Sequence, residues 1–396
     1  MSTYIDIEII QALPFANANR DDAGQPKTTK IGGTTRGRLS SQSLKRAARF
    51  YNADRTTGLG FAGDTSGGAF YRTRYIKQLL TKEIEKKNGG EDALARLAET
   101  LTAGTTALGK VSKKDNKADT TEKGNVLILL TQQEISDLAD AFIEGPVDKK
   151  TVDIVLRNSG KQDLALWGRF FASSDAATLD GSAQVAHAFT THPVTVEEDF
   201  FVGLDDAASL YSDHAGAGHP GFAFYSTGTF YKYANINLEE TILNLLNARV
   251  ENKELVIDEN ASEETIQTSI QTILRDFITS FTLSVPQGKI RSTAHQTIPH
   301  YVRVSIRNDR PVNGATAFDE AIPNSSKNIP LDSIEKLEKT HKSLEKFVGS
   351  PEHVFTLSVF EEHNNSASLN ELTENVLKSV KQYTQAAYSI YTSEGE

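Results

Sequence analysis

Thr3-Tyr-Ile-Asp-Ile-Glu-Ile-Ile10 alternates apolar and charged side chains with a period of two. Ile5, Ile7 and Ile9 fall on one face and Asp6 and Glu8 on the other, the pattern of a strand with one face in a core and one in water. The segments beyond this strand decide the fold class. Ile76, Leu79, Leu80 and Ile84 mark the apolar side of a helix over 70–88, and a second helix covers 91–101. Thr131 with Glu134 three residues on is a capping box that opens a helix over 132–143, and Gly145-Pro146 stops it. From about 181 strands return. Ala186–Pro193 and the aromatic alternation Phe222–Tyr233 are strand-like, and two extended arms around an irregular middle suggest a long hairpin. Helices over 238–248, 263–280, 332–348 and 369–388 then alternate with strand candidates at 282–285, 301–307 and 354–360. Residues 11–39, with Pro14, Pro26, Gly24, Gly32 and Gly33, read as a long loop, and 56–69 and 102–125 as irregular segments. The order is that of an α+β fold. Its early helices look inserted into the strand-bearing part, because no linker-like stretch flanks them.

Composition narrows the class. The chain has 396 residues, 38% hydrophobic and 24% charged, which suits a soluble globular protein with a sizeable core. It has no cysteine, which excludes disulfides, thiolate metal sites and cysteine nucleophiles and fits a reducing compartment. The longest aliphatic run, Val126–Leu130, is far too short to span a bilayer, and no basic segment followed by an apolar stretch begins the chain. We therefore expect a cytoplasmic protein with no membrane partner.

The net charge of −10 argues against a general nucleic-acid sponge, but its distribution is uneven. Between 27 and 55 stand Lys27, Lys30, Arg36, Arg38, Lys45, Arg46, Arg49 and Arg55 against Asp54 alone. Within this stripe, Ser40 or Ser41 is a natural N-cap for a short helix. Leu44, Ala47, Ala48 and Tyr51 share one face at helical spacing, which leaves Lys45, Arg46 and Arg49 on another. A helix start with free N–H groups beside three cations suits a phosphate. The ordinary alternative is a solvated basic face.

Other motifs stop short. Gly104–Lys110 has the glycine and lysine spacing of a P-loop, but Val111 stands where the magnesium-binding hydroxyl belongs. His187 and His192, like His214 and His219, are five apart and match no metal-ligand spacing. Gly221-Phe-Ala-Phe-Tyr225 resembles the base-stacking strand of an RNA-recognition module, although such alternation usually packs a core. Asp21-Asp22 beside Arg20 is a carboxylate pair that could hold magnesium or simply cap a turn. No nucleophile–base set emerges, so we expect no enzyme activity, no cofactor and no metal.

Several blocks together carry a more specific message: Asn19-Arg-Asp-Asp22, Gly32-Gly33, Arg38-Leu-Ser-Ser-Gln-Ser-Leu-Lys-Arg-Ala47, Ala186-His-Ala-Phe-Thr-Thr-His192, Asp205-Asp206 and Tyr231-Lys-Tyr-Ala-Asn-Ile-Asn-Leu238. In order and spacing they resemble the CasC-type backbone subunit of the type I-E CRISPR Cascade complex. The regions 55–165 and beyond 310 match only loosely. The resemblance implies a modified RNA-recognition (ferredoxin-like) palm over 1–55 and 181–396, helical fingers inserted over 56–180, and a β-hairpin thumb at about 193–224. It implies that several copies stack along one CRISPR RNA and present it for pairing with target DNA, beside a large subunit, a small subunit and guide-end-capping subunits.

On the same resemblance, Arg20, Lys27, Ser40, Gln42, Lys45 and Arg46 are expected to hold the guide in the palm, with Arg49 extending that face by helical spacing. Phe200, Phe201 and Leu204 are expected at the thumb tip, wedged beside a displaced base, and Phe170 is expected to pack on the bases. Phe200 departs from the family's usual tryptophan, and Thr34 and Thr35 stand where relatives carry basic residues. The alternative is a backbone subunit that cleaves target RNA with magnesium held by Asp21 or Asp22.

Overall fold

β1, Tyr4–Ala16, lies inside a nine-stranded sheet ordered His353–Ser358, Tyr301–Arg307, β1, Ala217–Asn237, Ala188–Thr190, β3 and β2, where β2 is Thr28–Ile31 and β3 is Thr34–Leu39. Glu197–Leu204 and Ala183–Val185 also pair with Ala217–Asn237. The strand pairs with assigned registers are antiparallel, for example Ile5 opposite Ile306 and Ile9 opposite Val302. The computed structural model describes residues 2–51, 70–112, 123–158, 162–170, 178–204, 217–251, 254–257 and 262–393. The chain is an α+β protein in two compact units. One unit comprises Met1–Ala48, Gln184–Asn235 and Phe277–Lys378, and the other Arg49–Ala183, Ile236–Asp276 and Ser379–Glu396.

In the first unit the expected half-wet strand is covered on both faces. Ile5, Ile7 and Ile9 are fully buried, and so are Asp6 and Glu8. A second apolar cluster explains this. Ile10, Tyr231, Tyr233, Tyr301, Phe318, Ile334 and Leu337 pack over the carboxylate face, with Ile334 and Leu337 contributed by the helix Ile329–Val348. The carboxylates survive burial because every oxygen is bonded. The Asp6 carboxylate accepts from the Tyr233 hydroxyl at 2.7 Å and the Val312 N–H at 3.0 Å. Glu8 accepts from the Tyr231 hydroxyl at 2.7 Å, the Gly314 N–H at 3.0 Å and Arg303 at 3.1 Å, with His341 Nε2 at 2.6 Å.

Three further expectations are corrected. Residues 11–39 are not one long loop, since β1 runs to Ala16 and β2 and β3 form a hairpin. Its two-residue turn is Gly32-Gly33, with φ of +56° and +78°, the backbone that a tight hairpin demands and glycine supplies. A Cβ on Gly32 would also stand 1.7 Å from the Asp319 carbonyl oxygen. Residues 282–285 are not a strand, because the helix Glu263–Leu283 continues into them. Tyr51 lies beyond the basic helix, α1 (Ser41–Arg49), and is 40% exposed, so it does not share the buried face of Leu44, Ala47 and Ala48.

The second unit packs the helices Ile76–Lys86, Glu91–Ala103, Gln132–Glu144 and Lys149–Asn158 around Leu80, Leu97, Leu138, Phe142 and Leu156. The capping box forms as its spacing predicts. Thr131 Oγ1 accepts the Glu134 N–H at 3.0 Å and Glu134 accepts the Thr131 N–H at 2.8 Å. Phe70–Thr73, expected in a helix, is instead a strand paired with Ile128–Thr131, whose β-branched and aliphatic run gives it a partner.

Candidate nucleic-acid interface

α1 is short and strongly two-sided. Leu44, Ala47 and Ala48 are buried, which fixes the helix against the first unit. Gln42 and Arg46 are exposed and Lys45 and Arg49 are half-buried. Burial lowers the Lys45 pKa from its ordinary value. Ser40 is the N-cap residue. The Ser43 N–H meets its carbonyl at 3.0 Å and its hydroxyl at 3.4 Å. The Ser41 N–H donates to His187 Nδ1 at 2.9 Å. The helix start therefore has fewer free N–H groups than its sequence suggests, and Gln42 and Arg46 stand exposed beside it.

Asn19 joins this helix to the preceding loop. Its side-chain oxygen accepts the Ser40 N–H at 2.8 Å, and its carbonyl accepts the Lys27 N–H at 2.9 Å. Arg38 then donates its N–H to the Lys27 carbonyl at 2.8 Å. Arg20 pairs with Pro26 as an isolated bridge. Arg20, Lys27, Ser40, Gln42, Lys45 and Arg46 are thus held in one neighbourhood by side-chain and backbone bonds that run through Asn19. Arg36 does not belong to it. Its guanidinium is fully buried and donates to Thr34 Oγ1 at 2.7 Å and to the carbonyls of Thr190 and Phe318 at 2.8 and 2.9 Å. Thr34 therefore has a structural role, accepting from the buried Arg36.

Asp21 and Asp22 are exposed, and Asp21 Oδ1 accepts the Gln25 N–H at 2.9 Å, the bond of a turn cap. Among the described residues no group of three or more metal-ligating side chains occurs. His192 is also structural. Its Nε2 accepts the Thr229 N–H at 3.1 Å and burial lowers its pKa, which favours the neutral ring.

The hairpin pairs Glu197 with Tyr225 through Phe200 with Phe222 and Phe201 with Gly221. Phe200 is 57% exposed, Phe201 51% and Phe222 63%. The Phe200 and Phe222 rings lie 5.3 Å apart and tilted by 55°. Phe201 occupies the opposite face, over Gly221, where a Cβ would stand 2.4 Å from its ring. Leu204 ends the strand opposite Ala217, while its side chain and Asp205-Asp206 lie outside the described residues. At the hairpin root Tyr225 stacks on Phe15 at 4.3 Å, and the Lys289 ammonium lies 5.1 Å from the Tyr225 ring.

Phe170 belongs to the second unit and is 79% exposed. It is held out by its neighbour. Arg169 is buried against Glu134 at 2.6 Å, donates to the Leu156 carbonyl and bridges Leu179 on its backbone. Sequence reasoning placed Phe222 in a strand that resembles a base-stacking one, but missed Lys289 and the linking role of Asn19. Phe222 was legible from the aromatic alternation of its strand, whereas its pairing with Phe200 and the approach of Lys289 to Tyr225 required the tertiary fold.

The chain matches the family model of CT1975-like proteins over residues 5–386. Among solved structures it is similar to a chain of a CRISPR RNA-guided surveillance complex in a pre-nicking state, with a TM-score of 0.75 and 28% identity over 95% of this chain and 99% of that one. A chain of another CRISPR RNA-guided surveillance complex shares the fold with a TM-score of 0.67 and 24% identity, over 95% of this chain and 99% of that one. Comparison with curated proteins gave no match. With 382 consecutive positions inside the family model, the chain belongs to the CT1975-like (Cas_CT1975) protein family.

Proposed function

We propose that this chain is a non-enzymatic backbone subunit of a Cascade-type CRISPR surveillance complex, of the CasC type, that stacks in several copies along a guide RNA and leaves its bases free for target DNA. In this reading the nine-stranded sheet belongs to a modified RNA-recognition palm, Glu197–Leu204 and its partner strand form the thumb, and the helices packed around Leu138 form the fingers. The observation that carries it is α1, whose apolar side is buried and whose Gln42, Lys45 and Arg46 stand with Arg20 and Lys27 around Asn19. Such a surface holds phosphates without reading sequence, and the guide's own pairing supplies specificity. Likeness to chains of RNA-guided surveillance complexes supports the same reading. Avidity from neighbouring copies lets each site be weak, as an acidic subunit requires.

Lys45→Ala with Arg46→Ala tests it in a filter-binding titration with guide-length RNAs of unrelated sequence. Affinity is expected to fall for all of them, with the log–log salt slope shallower by about 1 to 1.5 for two lost phosphate contacts. An unchanged slope overturns the role of α1. Mass measurement of the complex co-purified with its RNA should give more than one copy per guide, and a single copy overturns stacking. The assembly should leave bound complementary RNA intact in magnesium; cleavage abolished by Asp21→Asn with Asp22→Asn would transfer the reading to the nuclease alternative.

A further inference from the structure

His353–Ser358 stands at one end of the nine-stranded sheet, paired with Tyr301–Arg307. Its sequence, His353-Val-Phe-Thr-Leu-Ser358, has no Asp, Glu, Lys or Arg, no proline and no glycine. A short, uncharged segment of high β-propensity on a sheet edge is a template for pairing with another chain. The opposite end of the sheet avoids this by being short and charged. Thr28–Ile31 has four residues, and Lys30 stands exposed within it. His353–Ser358 has charge only at its flanks, in Glu352 and Glu361-Glu362.

Two asparagines from the following turn meet the edge instead. Asn365 Oδ1 accepts the Thr356 N–H at 2.7 Å, and Asn365 Nδ2 donates to the Val354 carbonyl at 3.1 Å. The Asn365 N–H donates to the Thr356 carbonyl at 3.2 Å, and Asn364 Oδ1 accepts the Ser358 N–H at 3.2 Å. Val354, Thr356 and Ser358 are alternate residues, so these are the backbone groups that point away from Tyr301–Arg307. The Asn365 amide thus stands where the peptide of a further strand would stand. Buried Ser366 seats the pair. Its N–H donates to Asn364 Oδ1 at 3.4 Å and its hydroxyl to Asn365 Oδ1 at 3.3 Å. Asn364 and Asn365 are themselves exposed, so an incoming strand competes directly for the groups they hold.

We propose that His353–Ser358 is a latent self-pairing edge, that its partner is the same strand of a second copy run antiparallel, and that Asn364-Asn365 holds it shut. The strand itself points to a second copy. Uncharged throughout, it meets no like-charge repulsion from its own inverted copy, and it carries no charge pattern that selects a foreign strand. Such a contact obeys a two-fold axis, so it closes a dimer and joins two sheets into one. The device stands whether or not copies stack on a guide RNA.

The test uses the full-length chain without RNA, as wild type, Asn364→Ala/Asn365→Ala and Asn364→Asp/Asn365→Asp. Both variants lose the Asn365 bond to the Val354 carbonyl. Alanine leaves the edge open and uncharged, whereas aspartate keeps an acceptor for the Thr356 N–H and sets charge on the edge. In sedimentation velocity the alanine variant should form more of a two-copy species than wild type at equal concentration, and the aspartate variant no more. Hydrogen exchange locates the contact. The Thr356 and Ser358 amides of the alanine variant should exchange fast on dilution and slowly in the two-copy species, while wild type protects them throughout. An alanine variant that matches wild type in mass at every concentration overturns the proposal. Association of both variants alike overturns it as general unfolding, and association without protection at Thr356 and Ser358 overturns it in favour of another surface. Should the double variants misfold, Asn365→Ala against Asn365→Asp carries the same contrast at one residue.

Discussion

β1 and Glu197–Leu204 both belong to strands of the first unit, yet β1 hides its carboxylates while Glu197–Leu204 shows its phenylalanines. Asp6 and Glu8 are fully buried, whereas Phe200 and Phe201 are each more than half exposed. The difference lies in what covers each strand. β1 has a neighbour on either side and the Ile329–Val348 helix with Phe318 above its carboxylate face. Glu197–Leu204 has one partner, Ala217–Asn237, in the sheet. Alternation therefore reports a strand, and the layers around it decide which face is wet.

The largest effect should come from breaking the buried side of the comparison. Glu8→Ala strands Arg303, the Tyr231 hydroxyl and the Gly314 N–H without their acceptor, and it leaves His341 without its charge partner. Burial alone would raise the Glu8 pKa, but the bond and charge from His341 and the charge of Arg303 outweigh it and lower the pKa below its ordinary value. Removing one partner of such a group costs about 3–5 kcal/mol, read as a shift in the urea midpoint. A loss below about 1 kcal/mol would mean that the carboxylate face is wetter than its packing implies.

Asp6 and Lys232 should give a smaller, pH-dependent effect. Burial raises the Asp6 pKa from 3.8 to about 7, against the Val312 N–H and the Tyr233 hydroxyl. Folded chains then bind more protons than unfolded ones between about pH 4 and 7, so stability falls as pH rises through that window. Lys232, on the sheet face opposite Tyr231 and Tyr233, donates to the Phe281 carbonyl at 3.0 Å, and burial lowers its pKa from 10.5 to about 7. Here unfolded chains bind more protons between about pH 7 and 10.5, so stability rises through that window. The two contributions together place a stability minimum near pH 7. Asp6→Asn should flatten the acid limb. Lys232→Met should flatten the alkaline limb and raise stability at pH 7, each by on the order of 3 kcal/mol. Parallel pH profiles for wild type and variants would contradict this.

The same contrast explains how much could be read from the sequence. Local chemistry was legible: the Thr131 capping box, the strand Tyr301–Arg307, the pairing of the arms within 186–193 and 222–233 and the split face of α1 all follow from spacing, whereas Glu197–Leu204, read as part of an irregular middle, is a strand. Properties set by distant partners were not. Arg36 counts as a surface cation until Thr190 and Phe318 claim its guanidinium. Asp6 and Glu8 read as solvent-facing until Tyr231, Tyr233 and Arg303 arrive from more than 200 residues away. At the interface, Arg20, Lys27 and α1 were legible as cations, but not the Asn19 bonds that gather them, because an asparagine's partners leave no periodic trace.

The exposed side of the comparison should give the smallest effect on stability. Phe200 and Phe222 touch each other at 5.3 Å but remain largely in water, so truncating either removes little buried area. Phe200→Ala and Phe222→Ala should each cost less than about 1 kcal/mol, with a coupling near 0.5 kcal/mol in a double-mutant cycle, the low end for an aromatic pair. Phe201→Ala samples the other face and should be equally mild. Such tolerance would sharpen the comparison, because side chains that contribute little to folding yet remain large and apolar suit contact with something outside the chain. Chemical probing of the guide in the assembled complex reads that contact. Phe200→Ala with Phe201→Ala should erase the regularly spaced hyper-reactive nucleotides while the urea midpoint hardly moves. A loss of several kcal/mol would instead make these rings part of the core, and an unaltered reactivity pattern would leave the hairpin no role in displacing bases.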